Sequence, residues 1–179
     1  MALPVARFAA AVRARNPLIH SITNYVVAPF QANALSALGA SPIMADEPEE
    51  AAKLNGTSAG LVVHIGTLHQ HSINARYLSA QAACRKNIPR VLDPVGVGAS
   101  YLRQHTVHEL LQLFRFSAIR GNAGEIAFLA QAGHRKKGID AGALEADPLQ
   151  IAQTVARRYQ SIVVMTGAED YITDGHTTY

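Results

Sequence analysis

The chain has 179 residues, the length of one ordinary domain, so we expect a single domain over residues 1–179. Its one cysteine excludes an intramolecular disulfide framework and a zinc ribbon, and it favours a reducing, cytoplasmic compartment. The formal charge of +3 comes from scattered basic residues, and no run of about 18 apolar residues occurs, so we expect no binding to nucleic acid and no membrane span.

Short apolar runs alternate with longer helical patterns along the chain. In the first half, the pattern predicts a helix at 3–15, a strand at 18–22, a helix at 25–38, a short buried segment at 41–44, a helix from Pro48, a strand at 61–65 and a helix at 72–86. In the second half, it predicts a strand at 91–93, a helix at 102–114, a strand at 118–121, a helix at 122–132, a loop at 133–147 that holds the basic run 135–137, a helix at 148–159 capped by Asp147, a strand at 161–167 and a hairpin at 171–179. Such alternation is typical of an α/β fold with a mostly parallel central sheet flanked by helices.

Polar residues and glycines end the apolar runs. Ligands of parallel α/β sheets bind at the carboxyl ends of the strands, so these residues are the candidate site. They are Asn24, Met44, Gly66, Asp93 with the glycines that follow it, Arg120 with Gly121 and Asn122, and Thr166.

Asp93 follows an apolar strand and precedes Pro94 and a glycine-rich loop. Its carboxylate has the oxygen ligands that Mg²⁺ prefers. From the spacing alone, an aspartate that caps the turn before Pro94 explains the position as well.

Arg120 ends the next apolar strand and is followed by the start of a helix at Asn122. A guanidinium group beside the backbone N–H groups of a helix N-terminus forms an anion site. Glu125, in the first turn of that helix, can take part in metal binding or can form a capping box with Asn122. The capping box explains Asn122 and Glu125 but leaves Arg120 unexplained.

Several other chemistries find no support. The sequence has neither a P-loop nor the Gly-x-Gly-x-x-Gly motif of dinucleotide-binding folds, and no serine nucleophile elbow. His105, His108 and Glu109 have helical spacing for a metal pair, but a solvated helix face is the better interpretation. Cys84 lies within a predicted helix and is expected to be a core residue.

Six motifs occur together in a fixed order. They are 17–24 (PLIHSITN), 37–44 (ALGASPIM), 65–67 (IGT), 92–96 (LDPVG), 119–122 (IRGN) and 164–171 (VMTGAEDY). Together they closely resemble the hydroxyethylthiazole kinases of thiamine salvage, members of the ribokinase-like superfamily, over nearly the whole chain. The resemblance implies a ribokinase-like fold and transfer of a phosphoryl group from ATP to the hydroxyl of 4-methyl-5-(2-hydroxyethyl)thiazole. It also implies a homotrimer with sites between subunits.

The resemblance further implies a role for each matching residue. Met44, Asn24 and Gly66 would bind the thiazole. Arg120 and Thr166 would bind ATP. Asp93 and Glu125 would lie near Mg²⁺ and phosphate.

Members of the family continue into a Gly-Thr-Gly-Cys segment, which cradles the transferring phosphate and carries the general base, whereas this sequence stops at Tyr179. We therefore assign no catalytic residue and expect little or no turnover from these 179 residues alone. Three alternatives stay open: an inactive remnant that only binds ligand or oligomerises, a related pyridoxal or hydroxymethylpyrimidine kinase, and, as a remote reading, a basic nucleic-acid-binding module.

Overall fold

A computed structural model of the chain describes residues 4–131 and 147–179. The chain divides into two compact units, Met1–Arg90 and Val91–Tyr179, and the expectation of one domain stays a prediction. Among the described residues, no helix has the length and apolar character needed to cross a membrane.

In its described residues, the first unit alternates four helices with three strands. In chain order these are α1 (Val5–Arg15), β1 (Leu18–Ile22), α2 (Ala28–Leu38), β2 (Ser41–Ile43), α3 (Pro48–Leu54), β3 (Gly60–His64) and α4 (Gln70–Arg85). Strand β1 lies between β2 and β3 and is parallel to both. Because all three strands run the same way, their carboxyl ends meet at one edge of the sheet.

Small and branched apolar residues build the core of this unit. Ile22, Leu61 and Val63 are buried on the strands, and Ala51 and Ala75 are buried on α3 and α4. Alanine at these positions allows the two helices to pack closely against each other and α4 to pack on the strands. The predicted mostly parallel α/β arrangement is therefore present in this unit.

Helix α2 begins three residues later than predicted. The Asn24 side-chain Oδ1 accepts the backbone N–H of Val27 at 2.9 Å, which forms a turn before the helix. The helix ends as predicted at Gly39, whose φ of +93° favours glycine. A side chain there would also meet Cγ of Arg13 at 2.6 Å.

Two predictions of burial are wrong. Cys84 is half-buried, because its neighbour Ala83 is the residue that faces the core. Segment 41–44 is also half-buried, since β2 pairs with β1 along one of its edges within this unit.

The second unit contains four strands and three α-helices in its described residues. They are β4 (Arg90–Asp93, whose first residue belongs to the first unit), a 3₁₀ turn (Val97–Ala99), α5 (Tyr101–Leu113), β5 (Ala118–Asn122), α6 (Ala123–Gln131), α7 (Pro148–Tyr159), β6 (Ile162–Thr166) and β7 (Tyr171–Thr173). Strands β4, β5 and β6 are parallel neighbours, and β7 runs antiparallel to β6. Helices α6 and α7 pack on each other and on β6.

The start of α7 and the hairpin after β6 agree with the sequence pattern. Asp147 caps α7 as predicted, since its Oδ1 accepts the N–H of Leu149 at 3.1 Å. The predicted hairpin is confirmed: the backbones of Ile172 and Tyr179 exchange two hydrogen bonds, and Gly175 in the turn has a φ of +98°. The predicted loop up to 146, its basic run and residue 132 lie outside the described residues.

Candidate functional site

The carboxyl ends of β1, β2 and β3 carry the three residues predicted to bind the thiazole. Asn24 follows β1, Met44 follows β2 and Gly66 follows β3, which itself ends at His64. We call these four residues the first rim.

Asn24 and Gly66 are brought together by the parallel arrangement of β1 and β3. A Cβ atom at Gly66 would lie 2.5 Å from Nδ2 of Asn24 and would collide with the His64 ring. Any residue other than glycine would thus push apart the two side chains beside it. No sequence pattern pointed to His64, a polar residue near the end of an otherwise apolar run.

Met44 is half-buried at the end of β2. The next residue, Ala45, is held by a hydrogen bond from a buried histidine. The fully buried His20 approaches the Ala45 carbonyl with Nε2 at 2.8 Å, and its Nδ1 lies 3.1 Å from Nδ2 of Asn55. A neutral ring protonated at Nε2 satisfies both contacts. Burial lowers the pKa of His20 below 6.5, while the contacts with Ala45 and Asn55 partly oppose that shift.

His20 makes the stability of the chain sensitive to acid. Because its pKa is lower in the folded chain, the unfolded chain binds the proton more readily, so stability is lost as the pH falls below about 6.5. We expect His20→Gln, which keeps a neutral donor for Ala45, to lose less stability between about pH 7 and pH 5 than the wild type does. Urea unfolding at several pH values measures this, with His108→Gln on the exposed face of α5 as the control. Equal losses for His20→Gln and the wild type would contradict it.

No sequence pattern pointed to Arg76, which lies among the small buried residues of α4, between Ser72 and Ala80. Its guanidinium group is fully buried. It donates to the His64 carbonyl from Nε at 3.1 Å and from NH2 at 2.8 Å, and to the Thr67 carbonyl at 3.2 Å. Both sides of the Gly66 turn are therefore held by one buried cation.

A buried hydroxyl group lies next to Asn24. Oγ1 of Thr23 finds no hydrogen-bond partner within residues 4–131 and 147–179. An orphaned polar atom at the carboxyl end of a strand is typical of a position that meets a ligand or a bound water.

The carboxyl ends of β4, β5 and β6 carry the residues predicted to bind ATP and Mg²⁺. Asp93 ends β4, Arg120 lies on β5, Glu125 is in the first turn of α6 and Thr166 ends β6. We call these four residues the second rim.

Asp93 is the most perturbed group of the second rim. Its side chain is only 16% exposed, and its Oδ2 lies 3.5 Å from NH1 of Arg120. Its buried Oδ1 has no hydrogen-bond partner within the described part of the chain. Burial raises the pKa of the Asp93 carboxyl to about 6; the Arg120 charge acts against this rise and the Glu125 charge adds to it.

The carboxylate of Glu125 ties two backbone segments together. Its Oε2 accepts the N–H of Asn122 at 2.9 Å, and Oδ1 of Asn122 accepts the N–H of Glu125 at 3.0 Å. This is the capping box that the spacing allowed. In addition, Oε1 of Glu125 accepts the N–H of Gly96 at 2.9 Å, which fixes the loop after Asp93 to the start of α6.

Arg120 and Thr166 both lie next to Gly121: Arg120 precedes this buried glycine on β5, and Thr166 contacts its carbonyl from β6. The Arg120 side chain is 49% exposed, so its guanidinium group can reach a ligand as well as Asp93. The Thr166 hydroxyl donates to the Gly121 carbonyl at 3.4 Å. A Cβ atom at Gly121 would lie 3.0 Å from Oε2 of Glu125, which makes glycine the residue that fits there.

The second rim fits a hard cation at Asp93, whose orphaned carboxylate oxygen is a suitable ligand. Glu125 fits less directly, since each of its oxygens already accepts a backbone N–H. The histidine pattern on α5 behaves as predicted: His105 pairs with Glu109 at 3.5 Å on an exposed face. No group of three potential metal ligands occurs in the part of the chain that the structure describes.

Comparisons with known proteins agree with the resemblance. The sequence profile of the hydroxyethylthiazole kinase family matches residues 9–179. The chain is 52% identical over 172 residues to the hydroxyethylthiazole kinase of Histophilus somni (strain 129Pt), covering 94% of this chain and 64% of that protein. It is 50% identical over 164 residues to the enzyme of that name from Pasteurella multocida (strain Pm70), covering 92% and 61%. The chain thus spans less than two thirds of the length of these relatives.

Solved structures show the same fold. The hydroxyethylthiazole kinase of Pyrococcus horikoshii OT3 matches with a TM-score of 0.84 and 37% identity, over 96% of this chain and 64% of that one. Anopheles gambiae adenosine kinase matches with a TM-score of 0.58 at 11% identity, which supports the fold alone. The predicted ribokinase-like α/β fold is confirmed, and the alternative families are not favoured. The chain belongs to the hydroxyethylthiazole kinase family.

Proposed function

We propose that this chain binds 4-methyl-5-(2-hydroxyethyl)thiazole at the first rim and ATP at the second rim, and that it belongs to a protein that transfers the γ-phosphoryl group of ATP to the thiazole alcohol in thiamine salvage. In that reaction the substrate hydroxyl oxygen forms a bond to the γ-phosphorus of ATP, the bond from that phosphorus to the bridging oxygen breaks, ADP leaves, and the hydroxyl proton is released to solvent. The activity is cytoplasmic in this proposal, in keeping with the single cysteine.

One observation carries the second half of the proposal. Asp93 and Arg120 place a carboxylate and a guanidinium group 3.5 Å apart at the carboxyl ends of parallel strands. The guanidinium group neutralises phosphate oxygens, and the orphaned oxygen of Asp93 is the position for Mg²⁺. Mg²⁺, when bound, supplies further positive charge against the phosphates.

The neighbouring residues hold this arrangement in place. Glu125 keeps the loop at Gly96 against the N-terminus of α6, and its charge raises the pKa of Asp93. Thr166 offers a hydroxyl group one strand further along. Phosphoryl transfer depends on such positioning and on charge neutralisation more than on covalent catalysis.

At the first rim, the proposal assigns the thiazole to Met44, Asn24 and Gly66. Gly66 has no side chain, and the His64 ring and the Asn24 amide fill the space that a Cβ atom would take, so both side chains pack against the Gly66 backbone. Met44 supplies a half-buried thioether, a side chain that packs well against aromatic rings.

Calorimetric binding and ADP formation test the proposal together. We expect the chain to bind the thiazole alcohol and, separately, Mg²⁺–ATP, and any ADP formation to depend on the alcohol. Arg120→Gln should weaken ATP binding about tenfold or more and leave thiazole binding unchanged, because it removes a charge-assisted hydrogen bond to phosphate. Arg115→Gln, an exposed arginine before β5, is the matched control. Failure of the wild type to bind either ligand would refute the proposal.

We also propose that the chain associates with copies of itself as a trimer. Large apolar side chains on and beside α1 and α2 are exposed in the single chain, among them Phe8 at 61%, Val26 at 88% and Phe30 at 77%. Exposed apolar residues grouped in this way mark association surfaces. Light scattering that shows a stable monomer would exclude self-association.

A further inference from the structure

His64 stands at the centre of the first rim, although no role has been assigned to it. It is the last residue of β3 and is only 5% exposed. Its Nδ1 accepts the backbone N–H of Gly66 at 3.1 Å. The ring also fills the space that a Cβ atom of Gly66 would take, so it packs directly against a residue proposed to bind the thiazole.

The turn that contains Gly66 is held at both ends but not at its middle by Arg76. The guanidinium group binds the carbonyls of His64 and Thr67, which lie on either side. The N–H of Gly66 lies between these anchors and points at the His64 ring. Glycine has the widest choice of backbone conformations. The contact with the His64 ring therefore fixes the most flexible residue of this turn.

The same ring also limits the space beside Gly66. A Cβ atom at Gly66 would meet the His64 ring on one side and Nδ2 of Asn24 on the other. The Asn24 amide is itself oriented, since its Oδ1 accepts the N–H of Val27. His64, Gly66 and Asn24 thus form one packed group in which each member restricts the next.

We propose that His64 is a positioning residue of the thiazole pocket: through Nδ1 it holds the Gly66 peptide in the orientation that the heterocyclic alcohol binds. This inference rests on the proposed function. It requires an acceptor at the position of Nδ1 and does not require the imidazole as such.

Two substitutions separate the acceptor from the bulk of the ring. His64→Asn keeps an acceptor, because Oδ1 of asparagine lies as many bonds from the backbone as Nδ1 of histidine. His64→Leu keeps a side chain of similar size and loses the acceptor. His64→Gln moves the acceptor one bond outward, away from the Gly66 N–H. It replaces His64→Leu as the variant without a correctly placed acceptor if the leucine variant does not fold. His108→Leu, on an exposed helix face of the second unit, is the matched control.

The first measurement is hydrogen exchange of the Gly66 amide by NMR, which needs no ligand. We expect slow exchange in the wild type and in His64→Asn, and exchange about tenfold faster in His64→Leu, the effect of losing one neutral hydrogen bond. The second measurement is calorimetric binding of 4-methyl-5-(2-hydroxyethyl)thiazole. We expect affinity about tenfold weaker in His64→Leu and within about threefold of the wild type in His64→Asn, with ATP affinity unchanged in both.

The outcomes distinguish this inference from the proposed function. Wild-type affinity in His64→Leu overturns the role of His64. Equal losses in His64→Asn and His64→Leu also overturn it, since the imidazole itself would then be needed. A wild type that binds no thiazole alcohol but protects the Gly66 amide refutes the proposed function, and the pocket role of His64 falls with it.

Discussion

Asp93→Asn is expected to make the chain more stable at neutral pH while it removes Mg²⁺-dependent nucleotide binding. In chelator at pH 8, we expect a gain of about 1 to 2 kcal/mol in the free energy of unfolding, because the variant no longer keeps a carboxylate charge in a buried position. Arg120 is half-exposed, so its ion pair with Asp93 contributes little to stability and little is lost when the carboxylate is removed.

The pH dependence of this gain follows from the raised pKa of Asp93. The folded chain holds the Asp93 proton up to about pH 6, whereas an unfolded chain releases it near 3.8. The contribution of Asp93 to the stability of the wild type is therefore largest below pH 3.8 and is lost as the pH rises through 6. The difference between variant and wild type should be small in acid, grow between these values and then level off.

We expect a cation that binds beside Asp93 to offset the free-energy cost of burying its carboxylate. We expect Mg²⁺ to tighten ATP binding to the wild type and to have no such effect on Asp93→Asn. Where turnover is measurable, it should fall by about 10²- to 10³-fold in the variant, the usual effect of removing one group that acts on transition-state charge. Denaturant unfolding and calorimetry measure the two effects separately. A variant that is less stable at pH 8, or that keeps the Mg²⁺ effect, would contradict this role of Asp93.

Glu125 is expected to behave in the opposite way, although it is the neighbouring carboxylate. Glu125→Gln leaves one acceptor oxygen for two backbone N–H groups, and we expect a loss of about 1 to 2 kcal/mol in the free energy of unfolding. Glu125→Ala removes both acceptors and should lose about 2 to 3 kcal/mol. The reason is that the N–H groups of Asn122 and Gly96 would lose their shared partner.

Denaturant unfolding at pH 7 tests this prediction, and Glu109→Gln is its control. Glu109 pairs with His105 on an exposed face, so its substitution should change stability by less than about 0.5 kcal/mol. A loosened loop at Gly96 should also weaken ATP binding in Glu125→Gln. Unchanged stability in Glu125→Ala would show that the two hydrogen bonds contribute nothing and would contradict this structural role of Glu125.

Much of the fold follows from local patterns in the sequence. Strand β1 and helix α7 begin and end where the pattern predicts, because an apolar run and the Asp147 cap are local signals. The end of α2 at Gly39 was predicted for the same reason. The start of α2 was predicted three residues early, because the turn made by the Asn24 side chain depends on how that side chain is oriented. Cys84 was placed in the core because helical periodicity does not show which of two adjacent small residues faces inward.

The candidate site, like the fold, was predicted only where local sequence signals mark it. The order of six motifs was enough to identify the family and to point to Asn24, Gly66, Asp93 and Arg120, because strand ends and glycines are visible in the sequence. The functional assignment of these residues stays a prediction until binding is measured.

The family, the alternation of strands and helices, and the residues that end the strands can all be predicted from the sequence, since each depends on neighbouring residues in the chain. The contacts of those residues cannot be predicted in this way, because they form between distant parts of the chain. The fully buried Arg76 beneath the Gly66 turn, His64 over Gly66 and the two backbone N–H groups on Glu125 each depend on contacts of side chains with other parts of the fold. Burial and the Arg120 charge act on Asp93 through space, so their balance, and the raised pKa that results, exist only once β4 and β5 lie side by side.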